Sequence, residues 1–168
     1  MTWRIGVAVI VAFVVGGAVG AFVEHERVQK SGHKASTSTA STIDATAWFA
    51  GDQTAACPAL QSWYQSYLKA LAVPKGGDWA SLQLALLDSN NTSSAAYRAL
   101  LPLANQTGST ELNFLIATET TLHRTITAAP SAAAYQGFSV IFAKSLPPDR
   151  LQRDTTVLLT AALACPKA

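Results

Sequence analysis

The chain is predicted to be all-α, with a single N-terminal transmembrane helix, a polar linker and an extracytoplasmic bundle of about six helices stapled by one disulfide. Three observations predict it. Residues 5–23 form an uncharged apolar run, the apolar positions after residue 45 recur at the helical period rather than alternating, and the two cysteines of the chain bracket that periodic part. A length of 168 residues suits one domain with appendages, since domains typically take about 100 to 150 residues. With 49% hydrophobic and 13% charged residues, the chain has enough apolar surface to offset conformational entropy, which argues against disorder. A net charge of +2 gives no field suited to phosphate neutralisation, so nucleic acid is not an expected partner.

Residues 1–4 are expected to be a short cytoplasmic N-terminus. The run IGVAVIVAFVVGGAVGAFV at 5–23 would make a helix about 28 Å long at about 1.5 Å per residue, close to the roughly 30 Å hydrocarbon core. It reads as a signal anchor, which would place the protein in the cell membrane as a single-pass chain. Cleavage of a signal peptide and secretion is the alternative, because Ala18, Val19, Gly20 and Ala21 offer small-residue sites, although a signal's apolar region usually spans only about 7 to 15 residues. Arg4 on one side and Arg27, Lys30 and Lys34 on the other give no positive-inside bias toward an inner N-terminus. Export is argued instead from the cysteine pair. Gly16 and Gly20 form a GxxxG that lets two helix backbones approach, so a homodimer through the transmembrane helix is one reading; the other is that glycine is common in membrane helices.

Residues 24–44 are predicted to be a flexible linker rich in Ser and Thr, with no apolar period by which it could pack. Its root-mean-square reach as an unstructured chain is roughly 25 Å, which would keep the domain at 45–168 near the outer membrane face. His25 and His33 stand isolated in this tract and are expected to be solvated.

Trp48 and Phe49 suggest a small amphipathic piece before the bundle. Pro58 suits the first turn of a helix whose Leu60, Trp63, Tyr64, Tyr67, Leu68 and Leu71 fall at helical spacing. Asp78 can cap a second helix with Trp79, Leu82, Leu86 and Leu87 inward. The polar run at 89–93 reads as a break before a third stripe of Tyr97, Leu100, Leu101 and Ala104, which Pro102 should kink or shorten. Residues 108–110 start the clearest helix, with Leu112, Leu115, Ile116, Leu122 and Ile126 on one face. Ser131 caps the next, offering Tyr135, Phe138, Ile141 and Phe142 to the core, and Pro148 opens the last, with Leu151, Leu158, Ala162 and Leu163 inward.

Cys57 and Cys165 stand at the two ends of this bundle, and an exported chain with an even cysteine count usually pairs them. They lack the C-x-x-C spacing of redox or zinc sites. A disulfide brings its Cα atoms to within about 7 Å, so an up-down bundle needs an even number of helices, or a crossover, to return to its starting end.

One polar pair interrupts an apolar stripe. Glu119 lies four after Leu115 and three before Leu122, with His123 one turn on, so the two share a helix face and are weak candidates for acid/base catalysis. A hydrogen-bonded structural pair, with Arg98 or Arg124 nearby, is the competing reading. The four glutamates of the chain, two of them in the linker, do not supply a di-iron bundle's ligand set, and no metal or other cofactor is implied. Trp63, Tyr67, Trp79 and Tyr97 could line a pocket for an apolar ligand or simply pack the core. Asn90, Asn91 and Asn105 begin glycosylation sequons, as exposed loops would. The expected function is a non-enzymatic protein-interaction or envelope-associated module with a protein partner at the outer membrane face. Two alternatives stand beside it: a carrier or sensor of an apolar small molecule, with a cavity of about 300 Å³ or more, and an enzyme using the Glu/His pair.

Overall fold

The computed structural model describes residues 48–49, 53–72 and 77–166. The expected cytoplasmic stub at 1–4, the membrane span at 5–23 with Gly16 and Gly20, and the linker at 24–44 lie outside the described residues. Among the described residues no helix is long and apolar enough to cross a membrane. These residues are all-helical, with no strand among them beyond a single bridge between Phe49 and Ala104.

A 3-10 turn at Gln53–Ala56 leads into α1, Cys57–Leu71, which carries Pro58 in its first turn. Leu60, Trp63, Ser66 and Tyr67 are its buried residues. That arc is centred nearer Ser66 than the sequence suggested, which rotates Leu68 and Leu71 outward to 39% and 43% exposure instead of into the core.

Helix α2, Trp79–Leu100, is capped by Asp78, whose carboxylate accepts from Ser81 N at 2.9 Å. It runs without interruption through residues 89–93, where a break was expected. The reason is local. Ser, Asn and Thr oppose helices when their side chains compete for the backbone. Here Ser89, Asn90 and Ser93 are buried and their polar groups bond to Ser66 and Glu119 of neighbouring helices. The bundle therefore has five α-helices among the described residues rather than six, and Asn90 is a buried helical residue, not part of an exposed loop.

Pro102 ends α2 at a 3-10 turn, Leu101–Leu103. Asn105 then caps α3, Gln106–Ala128, through Gly108 N, two residues ahead of the expected start. Trp48 and Phe49 are buried at 3% and 5% exposure beside this junction, and Trp48 O accepts from Asn105 N at 2.9 Å. Gly108 is required there: a Cβ would sit 2.9 Å from Trp48 Cβ and against the Trp48 carbonyl oxygen. Gly108→Ala should therefore destabilise the domain by about 1 to 3 kcal/mol through overpacking, despite alanine's better helix propensity. Urea denaturation of the variant checks this, and an unchanged midpoint would show that the Trp48 segment yields freely.

Helix α3 buries Leu112, Leu115, Leu122 and Ile126. Ser131 caps α4, Ala132–Ser145, through Ala134 N at 3.2 Å. Only Tyr135 and Ser139 of α4 are buried. The narrow contact edge leaves Phe138 and Ile141, expected in the core, exposed at 57% and 70%. Helix α5, Pro148–Ala164, buries Leu151, Asp154, Val157, Leu158, Ala161 and Ala162, whereas Leu163 faces outward.

Paired contacts give the topology. Trp63 meets Tyr97 and Ser66 meets Ser89, so α1 and α2 are antiparallel; Asn90 meets Glu119 and Gln83 meets Ile126, so α2 and α3 are too. Helix α4 starts at the far end, where Tyr135 lies against Trp79, and returns the chain to the end where α5 begins. Both ends of α5 then stay at that pole, because Arg150 reaches Glu111 near the start of α3 and Ala162 accepts from Gln61 near the start of α1. Helix α5 thus crosses the pole rather than running the bundle's length. An odd helix count is thereby reconciled with the Cys57–Cys165 disulfide, whose Cα atoms are 5.6 Å apart.

Candidate functional site

The polar centre of the bundle forms where α1, α2 and α3 meet. Trp63 donates its indole N–H to the Tyr97 hydroxyl at 2.8 Å. Ser66 donates to Ser89 O at 2.8 Å and shares a 2.7 Å contact with the Ser93 hydroxyl. These small groups leave a cavity of about 90 Å³, bordered by Trp63, Tyr67, Tyr97, Tyr135, Asn90 and Glu119. Leu86, Leu122, Ile126 and the aromatic rings make the lining mainly apolar despite these polar groups, and the cavity's size falls well below the roughly 300 Å³ at which drug-sized ligand pockets begin. Burial pushes the phenols of Tyr67, Tyr97 and Tyr135 up from their ordinary range, so these hydroxyls remain protonated donors.

Three of the four aromatics proposed to line a pocket, Trp63, Tyr67 and Tyr97, border the cavity. Trp79 does not. It stacks on Tyr135 at 5.7 Å and donates to Ala129 O, in a smaller apolar cluster at the far pole.

Glu119 and His123 are brought together through Asn90 rather than bonded to one another. The Asn90 amide donates to the Glu119 carboxylate and, at 3.0 Å, to the Glu119 main-chain oxygen, while Asn90 Oδ1 lies 3.3 Å from His123 Nδ1. Desolvation pushes the Glu119 carboxyl up to about 8, partly opposed by the Asn90 hydrogen bond. Glu119 is therefore mainly uncharged at neutral pH and can donate a proton in a hydrogen bond. On its outer side the group borders a surface cleft of about 320 Å³ between α2 and α3, shared with His123, Arg98 and Arg124.

A second cluster was not anticipated. Glu111 takes Arg150 Nε at 2.6 Å and Arg153 Nη2 at 3.0 Å, and Arg150 lies 3.9 Å above the Phe114 ring. Asp154 is fully buried beside it, accepting from Arg153 through Oδ1, while Oδ2 has no partner among the described residues. Burial, then the neighbouring Glu111 charge, raises the Asp154 carboxyl to about 6. The signal was present in the sequence: Asp154 sits three after Leu151 and four before Leu158, inside an apolar stripe, as Glu119 does on α3. Asn90 carried no such signal, because its neighbours read as a loop.

No group of three or more His, Cys, Asp or Glu side chains among the described residues is arranged to hold a metal ion. Comparison of the chain with protein-family models, with curated proteins and with solved structures gave no match.

Proposed function

We propose that the chain is a membrane-anchored, extracytoplasmic and non-enzymatic interaction module that works beside the outer face of the cell membrane. The observation that carries this reading is the disulfide that joins the two ends of the helical domain. Disulfides persist in oxidising compartments, and one that closes a whole domain is a structural staple rather than a redox site. The apolar run at 5–23 supports an anchor, and the Ser/Thr-rich tract at 24–44 supports a tether. Phe138 and Ile141, exposed on α4, support contact with a protein partner. Asn90, interposed between Glu119 and His123, favours a structural network over an acid/base pair. The cavity of about 90 Å³ likewise favours interaction over carriage of an apolar small molecule.

The test uses the full chain in intact cells. A photo-crosslinking residue at position 138 should give a discrete protein adduct, whereas one at the exposed polar position 152 should not. Alkaline extraction should leave the chain in the membrane, and membrane-impermeant thiol reagents should label it only after reduction. Release of the chain into the medium would favour the secreted form; thiols free and labelled only after lysis would overturn the compartment. An adduct of twice the chain's mass that is lost in Gly16→Leu would identify a homodimer through the membrane segment.

A further inference from the structure

The cleft between α2 and α3 has an unusual charge arrangement. Arg98 comes from α2 and Arg124 from α3, both border the same space of about 320 Å³, and neither forms an ion pair among the described residues. The register of the two helices separates them. Asn90 opposite Glu119 and Gln83 opposite Ile126 define one antiparallel register, which places Arg98 opposite residue 111 and Arg124 thirteen residues further along α3. At about 1.5 Å per residue their backbones lie roughly 20 Å apart along the axis, one toward each end of the cleft, a span that two arginine side chains reaching inward would shorten considerably. Between them stand neutral hydrogen-bonding groups, Asn90 and Ser94, together with His123.

From this we infer that the cleft is a binding site for a small elongated organic dianion, with one oxyanion on Arg98, the other on Arg124, and the body of the molecule across Asn90 and His123. Arginine's planar fork matches carboxylate and phosphate oxygens in a bidentate way, so the site reads the two ends of a ligand. Asn90 Oδ1 engages His123 Nδ1, which leaves Nε2 of the ring to the ligand. Among the described residues Glu119 is the one carboxyl bordering the cleft, and its burial keeps it largely uncharged at neutral pH, so it does not neutralise the arginines and can donate to the ligand. A cleft of about 320 Å³ is at the lower end of small-molecule sites, which span about 300 to 1,000 Å³.

The test is a calorimetric titration of the full chain in detergent micelles with adipate, a six-carbon dicarboxylate, and with propionate, its one-ended counterpart. Adipate should bind saturably and about tenfold or more tighter than propionate, the ratio expected when one charge-assisted contact is lost. Arg98→Gln and Arg124→Gln should each weaken adipate binding by a similar factor while leaving the melting transition in place, since both side chains are exposed and neither forms an ion pair among the described residues. Lys144→Gln, which removes one positive charge from α4, should change nothing. Absence of saturation by about 10 mM adipate, equal binding of the two acids, or loss of binding in Lys144→Gln to the same extent as in the arginine variants would overturn the inference. A phosphate monoester and a bisphosphate compared in the same way distinguish phosphate-ended from carboxylate-ended ligands.

Discussion

Cys57→Ser, Cys165→Ser or full reduction should cost the domain about 4 to 5 kcal/mol, the largest single effect expected in this molecule. The bond spans 108 residues of sequence, and in the chain-entropy account closing a loop of about that length removes conformational entropy from the denatured ensemble and so raises its free energy by roughly 4.7 kcal/mol. Domains of this size have a total stability of only about 5 to 15 kcal/mol, so the reduced protein should be only marginally stable. The structure adds a second reason. Helix α5 crosses one pole and is attached there through Gln61, the Glu111 cluster and the disulfide. Without the sulfur bond its last turns should fray first. Urea titrations with and without reductant measure the loss, and hydrogen exchange should show amides at 158–164 gaining the most. A loss below about 1 kcal/mol would mean that packing alone seats α5.

The second large effect is a fall in stability as pH rises from about 4.5 to 8. A carboxyl whose pKa is higher folded than unfolded is held protonated in the native state, so the native state binds more protons in that window and loses stability on going alkaline. Asp154, raised to about 6, contributes only in the lower part, whereas Glu119, raised to about 8, contributes across the whole window and alone above about pH 6. A tenfold change in proton affinity between the folded and unfolded chain is worth about 1.36 kcal/mol, so the combined loss is on the order of a few kcal/mol. Glu119→Gln should remove the slope between about pH 6 and 8 and make the variant the more stable protein at pH 8.5, because a glutamine oxygen can still accept from Asn90 without carrying a charge. The two proteins should be alike near pH 4.5. Thermal melts across that range decide the matter; parallel curves would show that Glu119 is hydrated in the native state.

Much of this architecture was legible in the chain. The caps at Asp78 and Ser131, the proline starts of α1 and α5, the shortening of a helix at Pro102 and the cysteine pairing all rest on local chemistry or on covalent constraint, and they stand where the sequence put them. Harder to read were features decided by what a helix meets. The run at 89–93 is polar in isolation and helical in context, because Ser66 and Glu119 arrive from other helices to bond it. Helix α4 has apolar residues for a full face but contacts its neighbours along a narrow edge, so Phe138 and Ile141 end outside. The candidate site was half visible. Glu119 betrayed itself by breaking a stripe, whereas the mediating Asn90 and the flanking position of the two arginines follow only from the register of α2 against α3.

With Cys57 and Cys165 joined at a Cα separation of 5.6 Å, the five helices form one covalently closed loop, while Trp48 and Phe49, which precede Cys57, pack against it from outside that loop. Tension applied ahead of Cys57 would be met first by the buried Trp48 segment, held through Asn105 N, and then by the sulfur bridge. The helices between the two cysteines form a loop that such a pull does not extend, although it would strip the Trp48 segment from Gly108.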